Sequence, residues 1–270
     1  MGRKLHADER GISPVLGTAL LLGMILTAST IFLAVWVPGE VNRREREHMQ
    51  GVEGSFRELK VMIEDLGVGE NGGVDLKMGP DTIPLVPNPK GGGTLSITPA
   101  ENVEQENLEN IMKSDLGHIG FDWGGWSWVY ESGMVVFVQD NMNLMKSPPG
   151  LVTVMQKNEN NFEVHFNAIR VQGVRGSVSG TGTSTVTISE NALPLTKLNP
   201  NENVVTIWIN SIYKDAWREY LTNKVDELKA IDIENVELEN EGNLLKLTIN
   251  GGGKNIEFYQ KVTDIEVRVD

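Results

Sequence analysis

Residues Gly11 to Gly39 form a run of twenty-nine without a single charge, beginning ten residues from the N-terminus. The hydrocarbon core of a bilayer is about 30 Å thick, and a helix needs about 20 apolar residues to cross it. The interior of the run, Val15-Leu16-Gly17-Thr18-Ala19-Leu20-Leu21-Leu22-Gly23-Met24-Ile25-Leu26, holds no strongly polar group that lipid would leave unsatisfied. A secretory h-region is shorter, about 7–15 residues, and precedes a small-residue cleavage site. This run is longer and lacks an Ala-x-Ala-like end. It predicts a membrane-inserted N-terminal helix, with the rest of the chain presented from the membrane.

The flanking residues add to this. Met1 to Gly11 is a short charged leader that ends on glycine, and Ile12-Ser13-Pro14-Val15-Leu16-Gly17 opens the apolar helix. This arrangement resembles the N-terminus of archaeal type IV pilins and pilin-like proteins over residues 7–37. The resemblance implies cleavage by a prepilin peptidase between Gly11 and Ile12, with the apolar segment retained. Pro14 then becomes the third residue of the mature chain, in the first helical turn, where its missing N–H is harmless. Bacterial pilins carry a Glu near the start of the mature helix; the matching Leu16 is apolar, as the archaeal pattern allows. The partners implied are the membrane, a prepilin peptidase and other pilin-like subunits. The bland alternative is a signal anchor that is never cut.

Composition suits an acidic domain on a tether. There is no Cys, hence no disulfide framework and no thiolate metal chemistry. The formal net charge is −13. Loss of a leader with Arg3, Lys4 and Arg10 against Asp8 and Glu9 leaves −14. Such a balance argues against a nucleic-acid partner, which calls for a basic patch. No Asn-x-Ser/Thr sequon occurs. Arg3, Lys4 and Arg10 on one side of the span are matched by Arg43, Arg44 and Arg46 on the other, so the positive-inside rule does not decide orientation. The short segment before the span and the long one after it favour N-terminus in, domain out, as the resemblance also implies.

Pro38-Gly39 predicts a kink or short break. Beyond it, Met49, Val52, Phe56, Leu59, Ile63 and Leu66 recur at spacings of 3 and 4, a stripe on one helical face. Gly67 and Gly69 supply a stop. One helix is therefore expected from about Ile12 to Leu66, reaching about 80 Å. Pilins lay the second half of such a helix on a β-sheet, so the stripe is read as a helix–sheet seam; a self-associating coiled coil is the alternative. Ala19, Gly23 and Thr27, four apart, form a small-residue row that permits close helix–helix packing in lipid, although such residues are common in membrane helices anyway.

The fold class expected is α+β: a long N-terminal transmembrane and assembly helix, then a β-rich antiparallel ectodomain. The divisions are a leader (1–11), a transmembrane helix (12–37), its amphipathic continuation (38–66), a Gly/Pro-rich connector (67–103) and a β-rich extracellular domain (104–270). Within the connector, Val74–Met78 and Thr94–Thr98 read as extended. Strands are then expected at Trp126–Glu131 and Met134–Gln139, joined by a Ser132-Gly133 hairpin turn. Others are Leu151–Gln156, Phe162–Ile169, Arg170–Val178, Ser184–Ser189 and Val204–Asn210. Ser211 is the expected N-cap of a helix over 211–229, with Ile212, Tyr213, Ala216, Trp217, Tyr220, Leu221, Val225 and Leu228 on its buried face. A β-meander is expected to close the chain, through Ile233–Glu239, Leu244–Asn250, Asn255–Gln260 and Asp264–Val269.

Catalytic signals are weak. Gly67-Val68-Gly69-Glu70-Asn71-Gly72 matches a dinucleotide fingerprint by letter, but a helix precedes it where a strand should. It reads as a helix stop plus turn. Gly176–Ser184 lacks the lysine of a phosphate loop and reads as a β connection. His6, His48, His118 and His165 have no partner at metal-ligand spacing, with His48 expected on the charged helix face and Glu163–His165 as a surface pair. Phe121, Trp123, Trp126, Trp128 and Tyr130 could form a ligand platform, but aromatics in strands more often fill a core. The expected function is structural or adhesive, without cofactor, metal or catalysis. The competing reading is a single-span anchored exoprotein that binds a ligand or envelope partner without polymerising. The processing expectation is direct: intact-mass and N-terminal analysis of membrane-purified native protein should give a chain beginning at Ile12, and one beginning at Met1 or Gly2 would overturn it.

Overall fold

The computed structural model describes residues 12–83, 90–100, 111–140, 142–158, 160–192, 195–198, 204–231, 233, 235–242 and 244–269. The leader, with Gly11 and His6, lies outside the described residues. The chain divides into two units, residues 1–47 with 81–88, and residues 48–80 with 89–270.

In the first unit, helix α1 (Ile12–Asp65) begins. Every side chain from Val15 to Trp36 is exposed. The hydroxyls of Thr18, Thr27 and Thr30 donate to the carbonyls of Val15, Gly23 and Leu26, so their polarity is satisfied within the helix. Of the kink or short break expected at Pro38, the break does not occur, and α1 runs through it as one helix. Proline costs the ladder one hydrogen bond, and the turns on both sides hold the helix together. Glu40 gathers Arg43 and Arg44. Arg44 Nη1 also donates to the carbonyls of Asp81 at 3.3 Å and Thr82 at 2.7 Å.

In the second unit, α1 ends where Gly67 and Glu70 close a turn: Glu70 N–H donates to Gly67 O, and Gly67 N–H to the Glu70 carboxylate, both at 2.9 Å. The strands that follow are β1 (Asn71–Lys77), β2 (Gly93–Thr98), β3 (Ile111–Asp115), β4 (His118–Trp123), β5 (Trp126–Glu131), β6 (Met134–Gln139), β7 (Met142–Ser147), β8 (Val152–Asn158), β9 (Asn161–Gly173), β10 (Gly176–Gly180), β11 (Thr183–Ala192), β12 (Thr196–Leu198) and β13 (Val204–Asn210). Helix α2 (Lys214–Ala230) precedes β14 (Asn235–Glu241), β15 (Leu244–Asn250) and β16 (Asn255–Val269). They form three sheets, ordered β1-β11-β16-β9-β8 with β12 on β16, then β10-β2-β4-β5-β6-β7, then β14-β15-β13-β3. Pairing is antiparallel except for β16 with β9 and β13 with β3. The class is thus α+β, a long apolar N-terminal helix followed by a β-rich domain.

The closing meander is corrected. β14 and β15 form the expected hairpin, but β13 occupies the other edge of β15. No edge remains there for β16. The Gly251-Gly252-Gly253 turn, with Gly252 at φ +56, instead carries the chain to the first sheet. There β16 runs beside β9 from Asn255↔Asn161 to Val267↔Gly173. Each is one long strand rather than two short ones. Arg170 forks onto Asp264, directly opposite, at 2.7 and 2.9 Å, pinning the pair toward its far end.

The two long strands serve two cores. Phe162, Val164, Phe166 and Ala168, with Ile256 and Phe258, enter a core shared with α2 and the third sheet. Farther along, the buried residues change parity to Val171, Ile265 and Val267, which enter a core built on α1. That core also takes Val74 and Leu76 of β1, Val186 and Ile188 of β11, and the aromatic face of the second sheet. Val52, Phe56, Leu59 and Ile63 of α1 are buried in it, Met49 and the unforeseen Met62 pack on its margin, and Leu66 is half-buried.

Helix α2 starts later than expected. Its N-cap is Tyr213, without a side-chain cap. Ser211 Oγ accepts the Tyr213 N–H at 3.0 Å but stands outside the helix, and Ile212 is exposed in the turn. Ser211 is drawn away by a buried carboxylate described below. The remaining face, Tyr213 to Leu228, is buried. Phe56 is 1% exposed at the centre of the seam. Phe56→Asp, which puts an unpaired charge there, should lower stability by on the order of 4 kcal/mol. A melting temperature of the detergent-solubilised protein unchanged by this substitution would show that the seam does not hold.

Candidate functional site

The apolar half of α1 is the most exposed apolar surface among the described residues. By length and composition α1 is the one described helix able to cross a membrane. Ala19, Gly23 and Thr27 share one face. A methyl group built on Gly17 or Gly23 would meet nothing within 4 Å, so neither glycine is required by packing within the chain. Directly after the apolar run, hydrogen bonds from Arg43 and Arg44 hold the Glu40 carboxyl down at about 2. A carboxylate depressed in this way stabilises the fold in full above the ordinary carboxylate range and loses that contribution as pH falls toward 2. The Glu40–Arg pairs therefore persist through mildly acidic conditions.

The aromatic residues do not form an open platform. Phe121, Trp123, Trp128 and Tyr130 are buried in the core on α1, and Trp126 alone is half-buried, with Lys90 Nζ 4.3 Å from its ring centre. Burial pushes the Tyr130 phenol far above its usual range. His48 lies in this core rather than on the charged helix face. It meets Trp123 edge-on at 4.8 Å and Phe121 at 6.0 Å. Its place at i−4 from Val52 puts it on the flank of the stripe, a signal the spacing held.

Glu131 alternates on β5 with the aromatic residues Trp126, Trp128 and Tyr130, yet it is 3% exposed, because the second sheet is covered on both faces. Ser211 Oγ donates to its Oε2 at 2.6 Å and Trp217 Nε1 at 2.5 Å. The carboxylate thus ties the entry of α2 to the β5–β6 hairpin. Ser132 in that hairpin, at φ +48 before Gly133 at φ +80, makes the primed turn, and its Oγ accepts the Ile169 N–H at 3.0 Å. Tyr220 adds a third tie: its hydroxyl accepts the Val152 N–H at 2.9 Å, and burial pushes it up to about 12.

Outside the cores, the first sheet carries a ladder of charges. Lys157 bridges Glu163 and Glu257, and Lys197 reaches Glu257 at 2.5 Å. His165 stands 3.6 Å from Glu163 and stacks on Tyr259 at 4.8 Å. Hydrogen bonds from Lys197, then Lys157, then Tyr259 bring the Glu257 carboxyl down to about 2. The Glu163–His165 pair is therefore one part of a cross-strand network. Among the described residues no group of three or more His, Asp or Glu converges as a metal site. The Gly67–Gly72 stretch is the turn after α1 and the start of β1, and Gly176–Ser184 is β10, a two-residue connection and the start of β11.

These features define a β-rich protein with one membrane-competent helix at its N-terminal end. The chain belongs to a family of unknown function (DUF7289), whose model matches residues 10–243. The match opens beside the charge-free run and closes at the β14–β15 turn. No curated protein and no solved structure matches the chain. Glu131→Ala should strand two buried donors and cost about 2–6 kcal/mol, at 1–3 kcal/mol each. A shift of that size in the denaturation midpoint would support the tie, and an unchanged midpoint would refute it.

Proposed function

We propose that the chain is a pilin-like cell-surface protein, a structural or adhesive subunit of an archaeal type IV pilus-like filament. Its N-terminus faces the cytoplasm, and its β-rich domain lies outside the cell. The observation that carries this reading is the division of labour within α1. Its first half is charge-free with every side chain from Val15 to Trp36 unpacked, and its second half buries a stripe in a β-rich core. A simple anchor needs only the first of these. Helix packing between subunits would bury the first half once chains leave the lipid, and small residues in it permit close approach. The charged leader that ends at Gly11 supports processing before assembly.

Gly23→Leu tests the reading. It raises apolarity, so membrane insertion should be retained, while its bulk should block packing along Ala19, Gly23 and Thr27. The protein should disappear from the sheared extracellular fraction at unchanged membrane levels. Normal release of the variant would remove the packing argument. Unaltered protein confined to the membrane, even beside its natural partner subunits, would favour an anchored exoprotein that does not polymerise.

A further inference from the structure

Strand β10 differs from the other strands at sheet edges. It pairs with β2 on one side, from Gly176↔Ile97 to Gly180↔Gly93, and ends the second sheet on the other. All five of its residues are exposed, so neither core holds its side chains. Edge strands usually protect themselves with charge, because an open ladder pairs readily with another chain. Other sheet edges follow that rule, with Asp75 in β1, Lys157 in β8, Lys146 in β7 and Glu237 in β14. β10 carries no charge, and none occurs from Gly176 to Ser189, in a chain of net −13.

Its sequence is also self-complementary. Gly176-Ser177-Val178-Ser179-Gly180 reads the same in both directions. A two-fold antiparallel pair requires that symmetry of its surface, since each residue meets its own mirror position on the partner. Centred on Val178, such a pair sets Val178 against Val178, Ser177 against Ser179 and Gly176 against Gly180. Serine hydroxyls facing across a ladder can hydrogen-bond, and no like charges are opposed.

We propose that β10 is a dimerisation edge that pairs with β10 of a second copy of this chain. The two six-stranded sheets then join into one of twelve strands, β7 to β10 followed by β10 to β7 of the partner. A five-residue strand pair buries less than the roughly 1,000 Å² of a stable free-standing interface. Confinement of both chains to one membrane through α1 supplies the effective concentration that the contact itself lacks. The pairing needs no filament, so it stands or falls apart from the proposed function.

The chain has no cysteine, so one introduced thiol is unique. Full-length protein carrying Val178→Cys is reconstituted in liposomes and mildly oxidised. Opposed residues in an antiparallel pair lie about 4.5–5.5 Å apart between Cα atoms, within disulfide range. Val174→Cys is the control: Val174 is 84% exposed against 37% for Val178, yet its two copies would lie about 25 Å apart along the paired strands. Disulfide-linked dimer should form at least tenfold faster at Val178. Equal rates, or faster linkage at Val174, would overturn the proposal. Should Val178→Cys melt below the parent, mixed Ser177→Cys and Ser179→Cys chains replace it. These must link to each other at least tenfold faster than either links to itself, and equal rates again overturn the pairing.

Discussion

A single helix has to satisfy two surroundings, and the rest of the structure follows from where it changes. Up to Gly39, α1 offers apolar side chains all round. From Glu40 it keeps one apolar stripe and charges its other faces. An all-round apolar helix suits lipid or a protein interior, and a one-sided stripe suits a surface to lie on. Phe56 and its neighbours gather β1, β11, β16 and the aromatic strands around α1. Burying each of those large side chains contributes roughly 1.5–3 kcal/mol.

The β9–β16 pair is the second organiser. Its thirteen parallel partner positions hold their register while the buried side chains change parity, which lets one ladder line both cores. The same ladder ties the C-terminal strand into the first sheet. β16 leaves the hairpin before it and spends its length in the first sheet.

Polar groups locate the joints. Glu131 fixes the entry of α2, Tyr220 holds α2 to β8, and Lys60 Nζ donates to Ser147 Oγ at 2.9 Å, tying α1 to β7. Each joins elements distant in sequence, and two of the three are buried, where an unpaired partner is costly. The charge ladder of Lys157, Glu163, Glu257 and Lys197 is more exposed and correspondingly weaker. β10 stands apart from the two cores, held by its ladder with β2 and by one side-chain contact, between Ser179 Oγ and Thr94 Oγ1 at 2.8 Å.

The sequence by itself determined what depends on local pattern. The charge-free run, the 3-4 stripe from Met49 to Leu66, the Ser132-Gly133 hairpin and the buried face of α2 are periodicities, and period reports which face a residue presents. It also carried Trp128 and Tyr130 inward. Tertiary structure decided what depends on what lies opposite. Glu131 and His48 became buried because a second layer covers the faces they stand on. Ser211 lost its capping role to a carboxylate eighty residues away in sequence. β16 chose β9 over β15 because both edges of β15 were taken. Pairing partners and the second covering layer are properties of the whole chain, and no local period encodes them.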